Sequence, residues 1–195
     1  MKKVLLVASI IIGTIFIISQ IYFYQLSQKL EQYRYVVTEK YDDFEIRQYE
    51  LSLFTTVQLK TDIYEYASKK GFSVLADYIF GNNEDGKQIP MTSPVSMTID
   101  EEISMMFLVP EGITKEKLPK PLNSSIKFIE VPQKKFAAIS FGGWSSQSKI
   151  DYNQKKLIKL LEDNNIEYLS NYLFCGYNSP FEFFFRKNEI LIEVK

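Results

Sequence analysis

The sequence predicts an α+β protein. Its antiparallel strands curl into one curved sheet or open barrel, two helices pack outside, and a transmembrane helix precedes them. Three observations predict this. Residues 4–24 form an almost unbroken apolar run. From residue 41 onward, stretches rich in alternating and β-branched residues are interrupted by only two stretches with helical spacing. The elements then recur in one order, strand–strand–helix–strand–strand, over about 41–109 and again over about 126–195. Two such halves related by a pseudo-twofold leave a cleft between them, a common place for a small apolar ligand.

The N-terminal run reads "VLLVASIIIGTIFIISQIYFY", and Gln20 is its only strongly polar member. As a helix its 21 residues rise about 31 Å, enough to cross a hydrocarbon core of about 30 Å. It is longer than a signal-peptide apolar region, no small-x-small pair follows it, and no cysteine stands near its end to accept a lipid. Residues 1–25 therefore read as an uncleaved signal anchor. Lys2 and Lys3 favour a cytoplasmic N-terminus and an extracytoplasmic domain, whereas Lys29, Arg34 and Lys40 oppose that orientation. The polar residues 26–40 read as a linker to a ligand-binding domain over 41–195.

Within that domain "FEIRQYE" and "LSLFTTVQL" read as strands. Thr61 or Asp62 is placed to cap a helix over 62–80, whose Tyr64, Ser68, Gly71, Phe72, Leu75, Tyr78 and Ile79 share one face. "GNNEDGK" stops it, and strands over 91–99 and 103–109 follow. A Pro- and Lys-rich connector spans 110–125. "IKFIEV" and "KFAAISFGGW" open the second half as strands. An amphipathic helix over 148–164 carries Ile150, Leu157, Ile158 and Leu161 on one face, and "YLSNYLFCGY" and "FEFFFRKNEILIEV" close the chain as strands.

Composition excludes much. There is no histidine, so these residues build no Ser-His-Asp or Cys-His catalyst, no His-ligated zinc and no histidine-ligated haem. The single cysteine, Cys175, precludes an intramolecular disulfide and reads as a buried, inert thiol. A net charge of −1 offers no basic face for a phosphate backbone, which argues against nucleic acid as a partner. The abundance of aromatic residues, 13 Tyr and 15 Phe, suits strands and an aromatic-lined interior.

The segment "QIPMTSPVSM" gathers thioethers, and Met105 and Met106 follow it. Met91 and Met97 stand about 20 Å apart along an extended strand, too far to share one ion. Met105 and Met106 point to opposite faces. Core filling is the expected role, and Pro90 and Pro94 suggest an edge strand or a bulge. Arg47 with Glu45, and Arg186 with Glu189, are expected as cross-strand surface pairs.

Four pieces in order resemble the SOUL haem-binding family across roughly residues 40–195. They are "FEIRQYE", "FSVLADYIFGNNEDGKQIPMTSPVSM", "KFAAISFGGWSS" and "YNSPFEFFFRKNEILIEV". The resemblance implies a distorted antiparallel β-barrel made of two pseudo-twofold βαββ-type repeats, and a likeness to GyrI-like small-molecule-binding domains. It also implies haem or a related tetrapyrrole as a possible, not a required, ligand. Without histidine, a Met thioether, a Tyr phenolate or Cys175 would have to hold the iron, or no side chain ligates it. In the second case the macrocycle docks on an apolar surface and its propionates pair with Lys or Arg. Tyr64, Tyr66, Phe72 and Tyr78 are the candidates to flank it, Lys69 and Lys70 to meet propionates, and Met91 to border the site. Binding, not catalysis, is expected, and no catalytic residue or metal site is assigned. The alternatives are a GyrI-like hydrolase or sequestering domain using a cleft carboxylate, with Asp42, Asp43, Glu45, Glu182 and Glu189 available, and a structural envelope protein.

Overall fold

The computed structural model describes residues 2–99 and 102–195, so that Met1 of the expected anchor lies outside the described residues. The chain runs α1 (Lys2–Ser27), β1 (Glu31–Gln32), β2 (Tyr35–Lys40), β3 (Glu45–Tyr49), β4 (Ser52–Leu59) and α2 (Tyr64–Ile79). It continues with β5 (Thr92–Ser93), β6 (Val95–Thr98), β7 (Ile103–Leu108), β8 (Ile126–Val131) and β9 (Lys134–Gly142). Last come α3 (Gln147–Asp163), β10 (Tyr168–Gly176) and β11 (Lys187–Val194). Among the described residues, nine strands form one sheet in the order β2-β3-β9-β11-β10-β6-β7-β4-β8, antiparallel throughout. The sheet curls without closing, so β2 and β8 are its edges and the expected barrel is a half-barrel.

Strand alternation divides the sheet into two buried faces. One face carries Ile46, Val57, Met97, Met105, Phe174 and Ile190 and is covered by α2 and α3. The other carries Tyr49, Phe54, Met106, Phe136, Cys175 and Leu191 and is folded against itself by the curl. Adjacent Met105 and Met106 are both buried on opposite faces, as their spacing requires. Helix α3 presses Ile150, Leu157 and Leu161 onto the first face and leaves Lys155 and Lys159 in water. Each such side chain contributes about 1.5–3 kcal/mol of burial. Ser146 caps α3, accepting from the Lys149 amide. Helix α2 starts later than its spacing suggests. Neither Thr61 nor Asp62 caps it; Ile63 is the N-cap without a side-chain bond, and Thr61 Oγ1 accepts from the Ile63 amide instead.

Four expectations are corrected. The polar segment 26–40 contains strands: β2 pairs with β3, and β1 pairs in parallel with β5. An edge strand needs only one bonded side and tolerates polar residues on both faces, which hides it in a polarity reading. The stretch 91–99 is two strands, broken at Pro94. β6 is not at an edge but lies between β10 and β7. Pro94 is tolerated there because its missing donor falls at the break and not inside a ladder. The closing strand begins only at Lys187; Phe181–Arg186 is a loop, and Phe185 takes a positive φ of 54°.

The fourth concerns charge. Arg47 does bond Glu45, Nε to Oε2 at 2.9 Å, but it is no surface group. It is 5% exposed and its Nη1 donates to Glu189 Oε2 at 3.0 Å, across β3 and β11. Glu189, 0% exposed, also accepts from Ser140 and Tyr177 and is paired with Lys187 at 3.1 Å. Burial alone would raise its carboxyl. The bond and charge of Arg47, the charge of Lys187 and the Tyr177 bond outweigh it and hold the group below the ordinary carboxylate value. Arg186 does not join this cluster.

Candidate functional site

The first sheet face is not filled evenly. Between the N-terminal half of α2 and strands β6, β7 and β10 lies an open cleft of about 570 Å³, within the ~300–1,000 Å³ range of small-molecule pockets. One wall is α2, which presents Tyr64, Ser68, Lys69 and Phe72 at helical spacing. The floor is Val95 and Met97 of β6, Met105 of β7 and Phe174 of β10. Met97 and Met105 are cross-strand partners, which places the two thioethers side by side. The far wall comes from the loops after β9 and β10, with Trp144, Ser145, Pro180 and Arg186.

Aromatic contacts set the shape. Tyr64 meets Phe174 edge-on at 5.5 Å, and Phe72 packs on Phe107 at 5.5 Å. The Tyr64 hydroxyl lies 2.6 Å from Ser145 Oγ, joining α2 to the far wall. Burial raises the Tyr64 phenol above its ordinary value, against the Ser145 bond and the charge of Arg186, so it remains a neutral phenol at physiological pH. The Arg186 guanidinium lies over the Trp144 ring at 3.9 Å. Its Nη1 donates to the Ser179 and Glu182 carbonyls, while its Nε has no hydrogen-bond partner among the described residues. The cleft is thus apolar and aromatic inside, with two cations, Lys69 and Arg186, on opposite walls.

Of the residues nominated from sequence, Tyr64, Lys69 and Phe72 come together here. Lys70 is exposed on α2 outside the cleft, as is Tyr66. Tyr78 is buried in the core, its hydroxyl donating to the Pro119 carbonyl at 2.8 Å. Met91 packs half-buried against the core outside the lining. Cys175 faces the other side of the sheet, and burial pushes its thiol up to about 12. A thiolate from that position does not reach the cleft.

Met97, Met105, Phe174, Trp144 and Arg186 were missed. Alternation within 95–98 and 103–108 is a usable signal for pairing Met97 with Met105. No local signal brings Trp144 and Arg186 to α2. Among the described residues, no group of three or more His, Cys, Asp or Glu is placed to hold a metal ion. The two most buried carboxylates are both engaged. Glu189 sits on the opposite face, and Glu182 accepts from Ser27, Asn178 and the Ser179 amide. The carboxylate in the cleft lining, Glu65, is exposed and accepts from the Gln147 amide.

A curled antiparallel sheet with helices on one face and an aromatic cleft under the first of them defines an α+β domain with a small-molecule-sized pocket. Residues 30–193 match the family described as SOUL heme-binding protein, and the chain belongs to that family. It is 28% identical over 159 residues to Heme-binding protein 2 of Homo sapiens, covering 75% of this chain and 76% of the relative. It is 24% identical over 155 residues to Heme-binding protein 1 of Xenopus tropicalis, covering 75% and 81%. Among solved structures, the C-terminal domain of EcmrR superposes with a TM-score of 0.61 at 11% identity, covering 78% of this chain and 96% of that domain. At that identity the likeness is one of fold.

Proposed function

We propose that this protein is a membrane-anchored binding module that takes a planar apolar ligand, haem or a related tetrapyrrole, in the cleft beneath α2. The observation that carries the reading is the lining: aromatic walls, a two-methionine floor and a cation on each side, in a chain of the SOUL family. These residues fit the ligand. Phe72, Phe174 and Trp144 offer ring faces to a macrocycle, and Lys69 and Arg186 are placed for its carboxylates. Haem would bring a redox-active iron. With no histidine in the sequence, the protein's part is hydrophobic docking, Met97 and Met105 being the soft donors at hand.

Helix α1 supports the anchoring. It is long and apolar enough to cross a membrane, although a signal sequence passes the same test, and it stands exposed along most of its length. Lys2 and Lys3 favour a cytoplasmic N-terminus with the domain outside, against the opposing pull of Lys29, Arg34 and Lys40. The recurrence of a strand pair, a helix and further antiparallel strands around α2 and around α3 supports a duplicated unit.

Haemin titrated into the full-length protein in detergent tests the binding. A saturable Soret shift with quenching of Trp144, the only tryptophan, is expected. Absence of saturable binding at micromolar haemin overturns the reading. Release of the intact protein from membranes by carbonate without detergent overturns the anchor.

A further inference from the structure

The loop between β10 and β11 has no role in the function above beyond lending Asn178, Pro180 and Arg186 to the cleft. Yet it carries four exposed aromatic residues, Phe181, Phe183, Phe184 and Phe185, at 61%, 52%, 53% and 83% exposure. Its polar base is largely bonded within the protein: Glu182 accepts from Ser27, Asn178 and the Ser179 amide, and Arg186 Nη1 donates to two loop carbonyls. Its tip is wholly apolar.

That tip lies along α1. Phe181 stacks on Phe23 at 5.6 Å, Phe183 and Phe184 meet Phe16 at 5.9 and 6.1 Å, and Phe185 meets Tyr24 at 6.1 Å. The apolar run ends near Tyr24, and Phe16 lies eight residue steps of helix before it, a rise of about 12 Å. The loop therefore follows the helix well into the depth that lipid acyl chains would occupy. Gln20, the one strongly polar side chain of the run, accounts for how. Its Oε1 accepts from the Phe183 amide at 2.8 Å and its Nε2 donates to the Phe181 carbonyl at 3.2 Å. Loop backbone at membrane depth is tolerated only where protein satisfies it, and a polar residue in a spanning helix is costly without such a role.

We propose that Phe181–Phe185 is a second membrane-inserting element, docked on α1 by Gln20, that buries its tip in the lipid acyl layer. It then sets the Trp144 wall of the cleft at the level of the lipid headgroups. Trp144 packs edge-on against Phe183 at 5.7 Å and beneath Arg186, an aromatic and a cation suited to that level. The bilayer is favoured as occupant because the phenylalanines are continuous with the exposed apolar surface of α1. The inference rests on α1 spanning the membrane.

The test uses full-length protein in phosphatidylcholine vesicles carrying doxyl labels either near the ester or at mid-chain. Trp144 in the native chain should be quenched best by the label near the ester. In a Trp144→Phe background, Phe184→Trp should be quenched at least twofold better by the mid-chain label, and Gln20→Leu should at least halve that quenching. Ile12→Trp in the same background reports on α1 alone. If Ile12→Trp escapes both labels, the spanning helix fails and this proposal with it. If Ile12→Trp is quenched and Phe184→Trp is not, loop insertion alone is overturned. That holds equally if the loop is instead covered by a second copy, seen as a blue-shifted Phe184→Trp emission with cross-linked dimers. Quenching of Phe184→Trp unchanged by Gln20→Leu overturns the docking role of Gln20.

Discussion

The two faces of the sheet are built from the same strands, residue by residue in alternation, yet they do different things. The face under the helices is filled by aliphatic side chains beneath α3 and left open beneath the start of α2, where Tyr64 and Phe72 stand apart from Met97 and Met105. The opposite face is knitted by ring contacts, Tyr33 on Tyr49 at 4.5 Å and Tyr49 on Phe136 at 5.6 Å, and by the buried Arg47–Glu189 pair. One face holds an apolar hollow bounded by the exposed Lys69 and the half-buried Arg186; the other sequesters its charges. The difference teaches that one face is held by packed rings around a buried ion pair, while the helix face leaves the larger hollow for a ligand.

The largest effect should come from the polar face. Glu189→Gln leaves Arg47 buried with the partly exposed Glu45 as its remaining countercharge and should cost about 3 kcal/mol at neutral pH, read from urea unfolding in detergent. Haemin affinity should stay within twofold, since Glu189 does not line the cleft; a larger loss would mean the faces are coupled. The pH dependence has a definite sign. The folded pKa of Glu189 lies below its unfolded value, so its contribution is present above the unfolded carboxylate range and is lost as pH falls through the folded value. The native protein should therefore lose stability more steeply in acid than the variant does.

Adjacent methionines sharpen the contrast. Met105→Ala and Met106→Ala each remove a buried side chain and should each cost about 2–5 kcal/mol. Only Met105→Ala should weaken haemin binding, because only Met105 faces the cleft. Equal losses of affinity would break the division into a binding face and a structural face. Smaller again is the expected effect of Arg186→Gln, about a tenfold rise in haemin Kd, from one charge-assisted bond of about 1.5–3 kcal/mol. Porphyrin dimethyl ester should bind native protein and variant alike.

Much of the helix face was legible because its signals are local. Period-two alternation marks the strands, and period 3.6 places Tyr64, Lys69 and Phe72 on one wall. Alternation also separates Met105 from Met106. The rest required partners that no local pattern pairs. Arg47 and Glu189 lie 142 residues apart in sequence and each has a plausible neighbour on its own strand. Trp144 and Arg186 reach the cleft only because β9 and β11 are adjacent in the sheet. Strand β2 went unread because an edge strand with both faces wet has no apolar stripe. The phenylalanines of 181–185 passed for strand because their composition suits one; their pairing partner is α1, not a neighbouring strand.

The smallest predicted effect tests how tightly α2 borders the cleft. Gly71 lies mid-helix, where alanine would ordinarily gain about 1 kcal/mol of helix propensity. Here a Cβ would sit 3.0 Å from both Leu59 Cδ1 and Met105 Cβ. The leucine methyl can rotate away, but Met105 Cβ is fixed to its strand, so α2 must lift. Overpacking of this kind costs about 1–3 kcal/mol, which leaves a net loss near ~1 kcal/mol. Ser73→Ala, exposed on the same helix, carries no such conflict and should be neutral or slightly stabilising. Because Met105 is also cleft floor, the lift should change haemin affinity in Gly71→Ala and leave it unchanged in Ser73→Ala. Should Gly71→Ala stabilise by the full propensity gain, the contact between α2 and β7 is looser than its distances imply. The open cleft would then owe its shape to the far wall alone.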